Sequence, residues 1–175
     1  MNEIRRKSIR LPEYDYTQAG GYFVTMVAFR RESLFGEVVA GQVILNPLGR
    51  IVEECWGEIP VHFPHATVDA FVVMPNHVHG ILLLSEPRIS PMTEAAPSID
   101  EPPRTTSLSR IVGAFKSSVA RQVHIAAHTS SHPLWQRGYY EHIVRDDNSL
   151  DRIREYIVNN PLRWELDREN LQASG

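Results

Sequence analysis

The feature that most limits how this chain can fold is a break near its middle. Residues 86 to 107 carry Pro87, Pro91, Pro97, Pro102 and Pro103 among Ser, Thr and Glu, with almost no apolar content. Proline lacks the amide proton that a strand or helix interior needs, so neither element can run through this stretch. It reads as an internal linker at about 86–106, extended or disordered. Regular structure has to come from the blocks on either side.

Before the break, GYFVTMVAF (21–29) is rich in β-branched and aromatic residues and predicts a strand. Phe35 to Leu45 predicts a loose extension or hairpin around Gly36 and Gly41. Asn46-Pro47 predicts a helix start, with Asn as cap and Pro at the first helical position. Leu48, Ile51, Val52, Cys55 and Ile59 recur at helical spacing, so this helix should reach about Ile59 and stop at Pro60. Val68–Val73 and His77–Leu84 predict two further strands joined by a Met74-Pro75-Asn76 turn.

After the break, Ser107 should cap a helix carrying Leu108, Ile111, Val112, Phe115, Val119 and Val123. YYEHIVR (139–145) alternates like a strand. Asp147 or Asn148 should cap a last helix with Leu150, Ile153 and Ile157 on its buried face, ending near Asn160-Pro161. The order β-α-β-β-α-β plus a helix predicts one α+β domain over 1–175. It is a ferredoxin-like split βαβ antiparallel sheet with helices on one face and a C-terminal Tyr-bearing helix.

Composition narrows the setting. The single Cys55 excludes an intramolecular disulfide framework and fits a reducing compartment. No apolar run approaches the ~20 residues that span a bilayer. The opening MNEIRRKSIR has charge without an apolar stretch behind it, unlike a signal peptide. The expectation is a cytoplasmic protein with no membrane partner. Net charge is −3, yet Arg104, Arg110, Lys116, Arg121, Arg137 and Arg145 face only Glu141 between residues 104 and 145. Local basic surface is what meets a phosphate backbone, because charge interactions fade over about 8 Å in salt. A solvated face would look the same in sequence.

Two local patterns carry chemistry. In a strand, His77 and His79 project from one face while Val78 enters the other, placing two imidazoles about 7 Å apart along the chain where they can converge on one cation. Imidazole suits several transition metals, and Mg²⁺ only with oxygen ligands beside it. The spacing could equally be chance in a chain with eight His. On the last helix, Tyr156 and Asn160 stand four apart and share a face. They read either as an amphipathic tyrosine and a C-terminal cap, or as a nucleophile beside a neutral oxygen ligand. Tyr139 and Tyr140, on opposite faces of a strand, are the competing nucleophiles. His62 and His65 form a weaker candidate pair in a loop, and Trp56, Trp135 and Trp164 could stack bases. Cys55, on the apolar helix face, reads as a small buried hydrophobe.

AFVVMPNHVHGILLL, SLSRIVGAFKSSVARQV and WQRGYYEHIVRDDNSLDRIREYIVNNPLRWELDREN together resemble the REP-associated tyrosine transposases of the IS200/IS605-like superfamily. RRKSIRLPEYDYTQAGGYFVT and LNPLGRIVEE are similar to the same group, so only the Pro-rich linker stands outside the likeness. The resemblance implies that His77 and His79 are metal ligands and that Tyr156 is the nucleophile. It implies that Asn160 is a further ligand to Mg²⁺ or Mn²⁺, where IS200-type members carry the longer Gln. The implied substrate is single-stranded DNA folded into a hairpin, cleaved and rejoined through a 5′-phosphotyrosine. Arg110, Lys116, Arg121 and Arg137 are candidate backbone contacts, and the working form is a monomer or homodimer. Two other classes compete: a metal-dependent nuclease using water, which forms no adduct, and a non-catalytic hairpin-binding regulator.

Overall fold

The β-branched and aromatic run after Gly20 becomes the strand around which everything else is arranged. In the computed structural model, residues 18–86, 107–128 and 133–166 are described. Apart from Glu86, the expected linker lies outside them, as does the basic opening segment. In chain order the elements are β1 (Gly20–Val27), β2 (Gly36–Val39), β3 (Gln42–Leu45), α1 (Pro47–Gly57), α2 (Ile59–His62), β4 (Ala66–Val73), β5 (His77–Leu84), α3 (Leu108–Ala126), β6 (Tyr140–Val144) and α4 (Asp147–Val158). Short 3₁₀ segments follow β1 at Phe29–Arg31 and α4 at Pro161–Leu166.

The main sheet runs β4-β5-β1-β6 and its pairings are all antiparallel. With the small β2-β3 hairpin set aside as an insertion, this is the split βαβ order expected from the sequence. Alternation along the strands divides the core in two. Tyr22, Val24, Met26, Val78 and Leu82 pack with Val52, Trp56, Ile111, Phe115 and Val119 of α1 and α3. Phe23 and Ile81 point the other way and pack with Ile157, Ile153 and Leu150 of α4. The sheet therefore carries α1 and α3 on one face and α4 on the other. Ile157 is buried, worth roughly 1.5–3 kcal/mol in holding α4 to the sheet.

Local chemistry explains the boundaries, including those the pattern misplaced. Asn46 caps α1 as expected: its Oδ1 accepts from the amides of Leu48 and Gly49 at 2.9 and 3.0 Å. Pro60 does not end a helix. It sits in the first turn of α2, where a missing amide proton costs nothing. The last helix is capped by Asp146, not Asp147 or Asn148; the Asp146 carboxylate accepts from the Ser149 amide at 2.7 Å. Strand β4 contains a bulge between Val68 and Phe71. The Asp69 carboxylate there accepts two hydrogen bonds from Arg154 of α4, Nε at 2.9 Å and Nη2 at 2.7 Å, tying that helix to the sheet. No helix among the described residues is long and apolar enough to cross a membrane.

Candidate functional site

The site forms on the α4 face, at the end of the sheet where β5 begins. Val78 is buried toward α1 and α3, so strand alternation sends His77 and His79 out together on the other side. They do not stand apart as a flat strand would leave them: their Nε2 atoms are 3.0 Å from each other. Both rings are buried, His77 completely and His79 to 4 % exposure.

Their outer nitrogens are held by residues that the pattern did not single out. Asn76 Nδ2 donates to the Arg31 carbonyl at 3.1 Å, which orients its amide and turns Oδ1 toward His77. Asn76 Oδ1 lies 2.9 Å from His77 Nδ1, so that nitrogen carries the proton and Nε2 of the neutral ring is a bare lone pair. Burial keeps His77 neutral, lowering its pKa from 6.5 to about 3. His79 Nδ1 lies 2.8 Å from the Thr25 hydroxyl. When Nδ1–H donates to Thr25, both Nε2 lone pairs face one point. When Thr25 donates instead, His79 Nε2–H donates to His77. A hydroxyl rotor accepts either arrangement.

Tyr156 reaches this pair from α4. Its hydroxyl is 3.4 Å from His79 Nε2, and its ring meets His79 at 5.2 Å between centroids. Phe23 stacks on His79 at 5.4 Å and meets the Tyr156 ring edge-on at 6.0 Å, fixing both. Tyr156 is 40 % exposed, so a substrate can approach it. Trp164 lies 6.0 Å from the His77 ring. Asn160 falls just past α4, where its amide donates to the Ile157 carbonyl at 3.2 Å in a tightened last turn. It is buried, and its Oδ1 has no hydrogen-bond partner among the described residues. In the chain it stands four residues from Tyr156, against His79, and four from Trp164, against His77.

These residues fit a divalent cation. Two nitrogens 3.0 Å apart are spaced as adjacent ligands at right angles around an ion with bonds of ~2.1 Å. Asn76 supplies the partner that holds a ligating imidazole in one tautomer. Among the described residues no group of three His, Cys, Asp or Glu gathers, and a neutral oxygen is a further kind of ligand that could join the two imidazoles. The orphaned Asn160 Oδ1 is of that kind.

The remaining candidates are dispersed. Tyr140 shares the site face, opposite Thr25, with its ring 6.4 Å from Phe23. Tyr139 turns away, its hydroxyl 3.3 Å from Ser109 of α3. Arg110 and Arg121 are exposed on α3, across the sheet from the histidines. The Lys116 ammonium donates to the carbonyls of Gln136 and Gly138 at 2.8 and 2.7 Å, presenting the loop that carries exposed Arg137; burial pushes its pKa down. His62 is exposed at the end of α2, with His65 in the following loop. Trp56 and Trp135 are core residues. Cys55 is buried beside Ser118 and Gln122. Thr25, Asn76 and Phe23 are the site residues that sequence reasoning missed; only the His77-adjacent position of Asn76 was a usable signal.

Comparison with known proteins bears on family and fold. Residues 99–160, a span containing Tyr156 and Asn160, match the model of the family described as IS200-like transposases. An uncharacterized protein of Haemophilus influenzae is 40% identical over 167 residues, covering 93% of this chain and 92% of that one. A second protein of that organism, assigned by name to the REP-associated tyrosine transposases, is 26% identical over 149 residues, 85% of this chain and 74% of its own. Among solved structures, a REP-associated tyrosine transposase bound to a REP hairpin shares the fold with a TM-score of 0.51 at 20% identity, covering 93% of this chain and 74% of that one.

Proposed function

The chain belongs to the IS200-like transposase family, and from that premise we propose that it cleaves and rejoins single-stranded DNA carrying a REP-like hairpin, with Tyr156 as nucleophile. The observation that carries this reading is the placement of the Tyr156 hydroxyl 3.4 Å from His79 Nε2, beside the facing Nε2 pair and within the same chain.

In this reading the scissile phosphate sits over the histidine pair, against exposed Tyr156. The phenolic oxygen attacks phosphorus in line; the new O–P bond forms as the P–O3′ bond breaks. The phenolic proton is lost and the departing 3′-oxygen gains one, leaving a 5′-phosphotyrosine and a free 3′-hydroxyl. Attack by another 3′-hydroxyl reverses the step and returns Tyr156 to its phenol. The linkage keeps the phosphodiester energy, so no ATP is consumed. A divalent cation, Mg²⁺ or Mn²⁺, held by His77, His79 and Asn160 would supply positive charge to a non-bridging phosphate oxygen. Phe23 fixes the rings of His79 and Tyr156, and the Asp69–Arg154 pair holds α4 at its distance from the sheet.

The test incubates the protein with single-stranded hairpin oligonucleotides and Mn²⁺ or Mg²⁺, resolves products on denaturing gels and maps adducts by mass spectrometry. The expected result is an adduct on Tyr156 that disappears in Tyr156→Phe and in chelator. Cleavage with turnover and no adduct would replace this reading with a water-using nuclease. Tight binding with no cleavage would make the protein a hairpin-binding regulator.

A further inference from the structure

Beyond the histidine pair, the chain leaves β1 through an unusual turn. Arg30 has φ 57° and ψ 14°, and Arg31 has φ 58°. Two successive side-chain-bearing residues in the left-handed region are strained where glycine would not be. The turn is anchored on both sides. Ala28 N donates to the Asn76 carbonyl at 2.8 Å and Phe29 N to the Leu134 carbonyl at 2.8 Å, while Gln136 N donates to Val27 at 2.8 Å. Between this turn and the loop before β6 lies an open cleft of about 610 Å³, lined by Phe29, Arg30, Pro133, Trp135, Gln136 and Arg137. Its far wall is braced from below by Lys116 on the Gln136 and Gly138 carbonyls.

The chemistry of the cleft is specific. The Arg30 guanidinium lies over the Phe29 ring, 5.2 Å from its centroid, forming a flat cationic platform. Arg137 stands exposed across from it, and neither guanidinium has an ion-pair partner among the described residues. The cleft also communicates with the site. Asn76, which accepts from His77 Nδ1, donates to the carbonyl of Arg31 in this same turn.

We propose that this cleft is a subsite for one nucleotide of the DNA single strand that leaves the histidine site, its base stacked on Phe29 and Arg30 and its phosphate held between Arg30 and Arg137. The assignment rests on the DNA-cleaving reading above and adds a place where unpaired DNA is gripped. Volume agrees, since sites for molecules of nucleotide size occupy about 300–1,000 Å³. The strained turn is the means of aiming Arg30 over Phe29, which a glycine at that position could not do.

Binding in chelator tests this without any cleavage. A fluorescein-labelled DNA hairpin with a short single-stranded tail, and the same hairpin without it, are titrated by anisotropy against the wild type, Arg30→Gly and Arg137→Ala. Glycine suits the left-handed backbone, so Arg30→Gly keeps the turn, and thermal melting verifies it. The wild type should bind the tailed hairpin more tightly than the bare one. Arg30→Gly should lose roughly fivefold to a hundredfold on the tailed hairpin, the range for a stacked base, and be unchanged on the bare one; Arg137→Ala should lose more affinity for the tailed hairpin than for the bare one. The salt dependence of tailed binding should fall by roughly 0.7 in log–log slope per phosphate contact removed. Variants that keep the preference for the tail, or lose affinity for both hairpins equally, would overturn the subsite and leave the DNA reading standing. A wild type that binds neither hairpin would overturn both.

Discussion

Replacing Asn76 separates the support of the site from its chemistry. The side chain is 1 % exposed and spends Oδ1 on His77 Nδ1 at 2.9 Å and Nδ2 on the Arg31 carbonyl at 3.1 Å. Asn76→Ala removes both hydrogen bonds, at about 1 kcal/mol each, and leaves a small void, for a total loss of roughly 2–3 kcal/mol. In a chain of this size that lowers the melting temperature by about 4–12 °C. It also frees His77 to take the tautomer with Nε2 protonated, which cannot ligate, so affinity for Mn²⁺ should fall about 10- to 100-fold. Asn76→Asp is the discriminating variant. Its carboxylate still accepts from Nδ1 but faces the Arg31 carbonyl with no proton to donate. Asp should therefore lose stability while keeping most of the metal affinity that Ala loses. Calorimetric Mn²⁺ titration and thermal melting in chelator measure the two quantities. Equal metal affinity in Ala, Asp and wild type would refute the tautomer argument.

Other perturbations probe the surrounding frame. A Cβ on Gly80, between His79 and Ile81, would collide with the Trp56 ring, which stacks on Phe71 at 4.4 Å; Gly80→Ala should cost at least about 1–3 kcal/mol in denaturant unfolding. The buried neutral His77 makes the metal-free protein acid-sensitive. The unfolded chain takes up this proton near pH 6.5 but the folded one only at about 3, so stability falls as pH drops through that window. Urea melts in chelator should show the slope, and His77→Phe should flatten it; a parallel slope in that variant would assign the effect elsewhere. Weakening of the Arg154 contact in Asp69→Asn, which keeps one acceptor oxygen where the carboxylate has two, should slow adduct formation more than it weakens hairpin binding, because the contact positions α4. Arginine holds the Asp69 carboxyl below the usual carboxylate range, so this contribution is present above about pH 3.8 and lost as pH falls below it. An equal loss of binding and rate would give the pair a role beyond positioning.

What could be read from the chain alone was whatever depends on near neighbours. Alternation in His77-Val78-His79 put both imidazoles on one face, and Asn46-Pro47 announced α1 through a cap that reaches only two or three residues ahead. The order of periodic segments was enough for the sheet topology, because two helical crossovers around one β4–β5 hairpin leave few alternatives. Two local readings were displaced: the last helix is capped by Asp146 where Asp147 or Asn148 was expected, and Pro60 opens α2 where a stop was expected, because a cap or a proline can shift by a residue or two without changing the pattern around it. The supports of the site were invisible for a different reason. Thr25 meets His79 only through the β1–β5 register, 54 residues apart, and Asp69 meets Arg154 only because a bulge redirects β4 toward α4, 85 residues away. The cleft beside Arg30 likewise exists only once Leu134–Gln136 return to the end of β1. Residue identity and short-range geometry determined which groups were available for chemistry; long-range pairing decided which of them met, because the energy of a register is shared over the whole sheet and is not written at any one position.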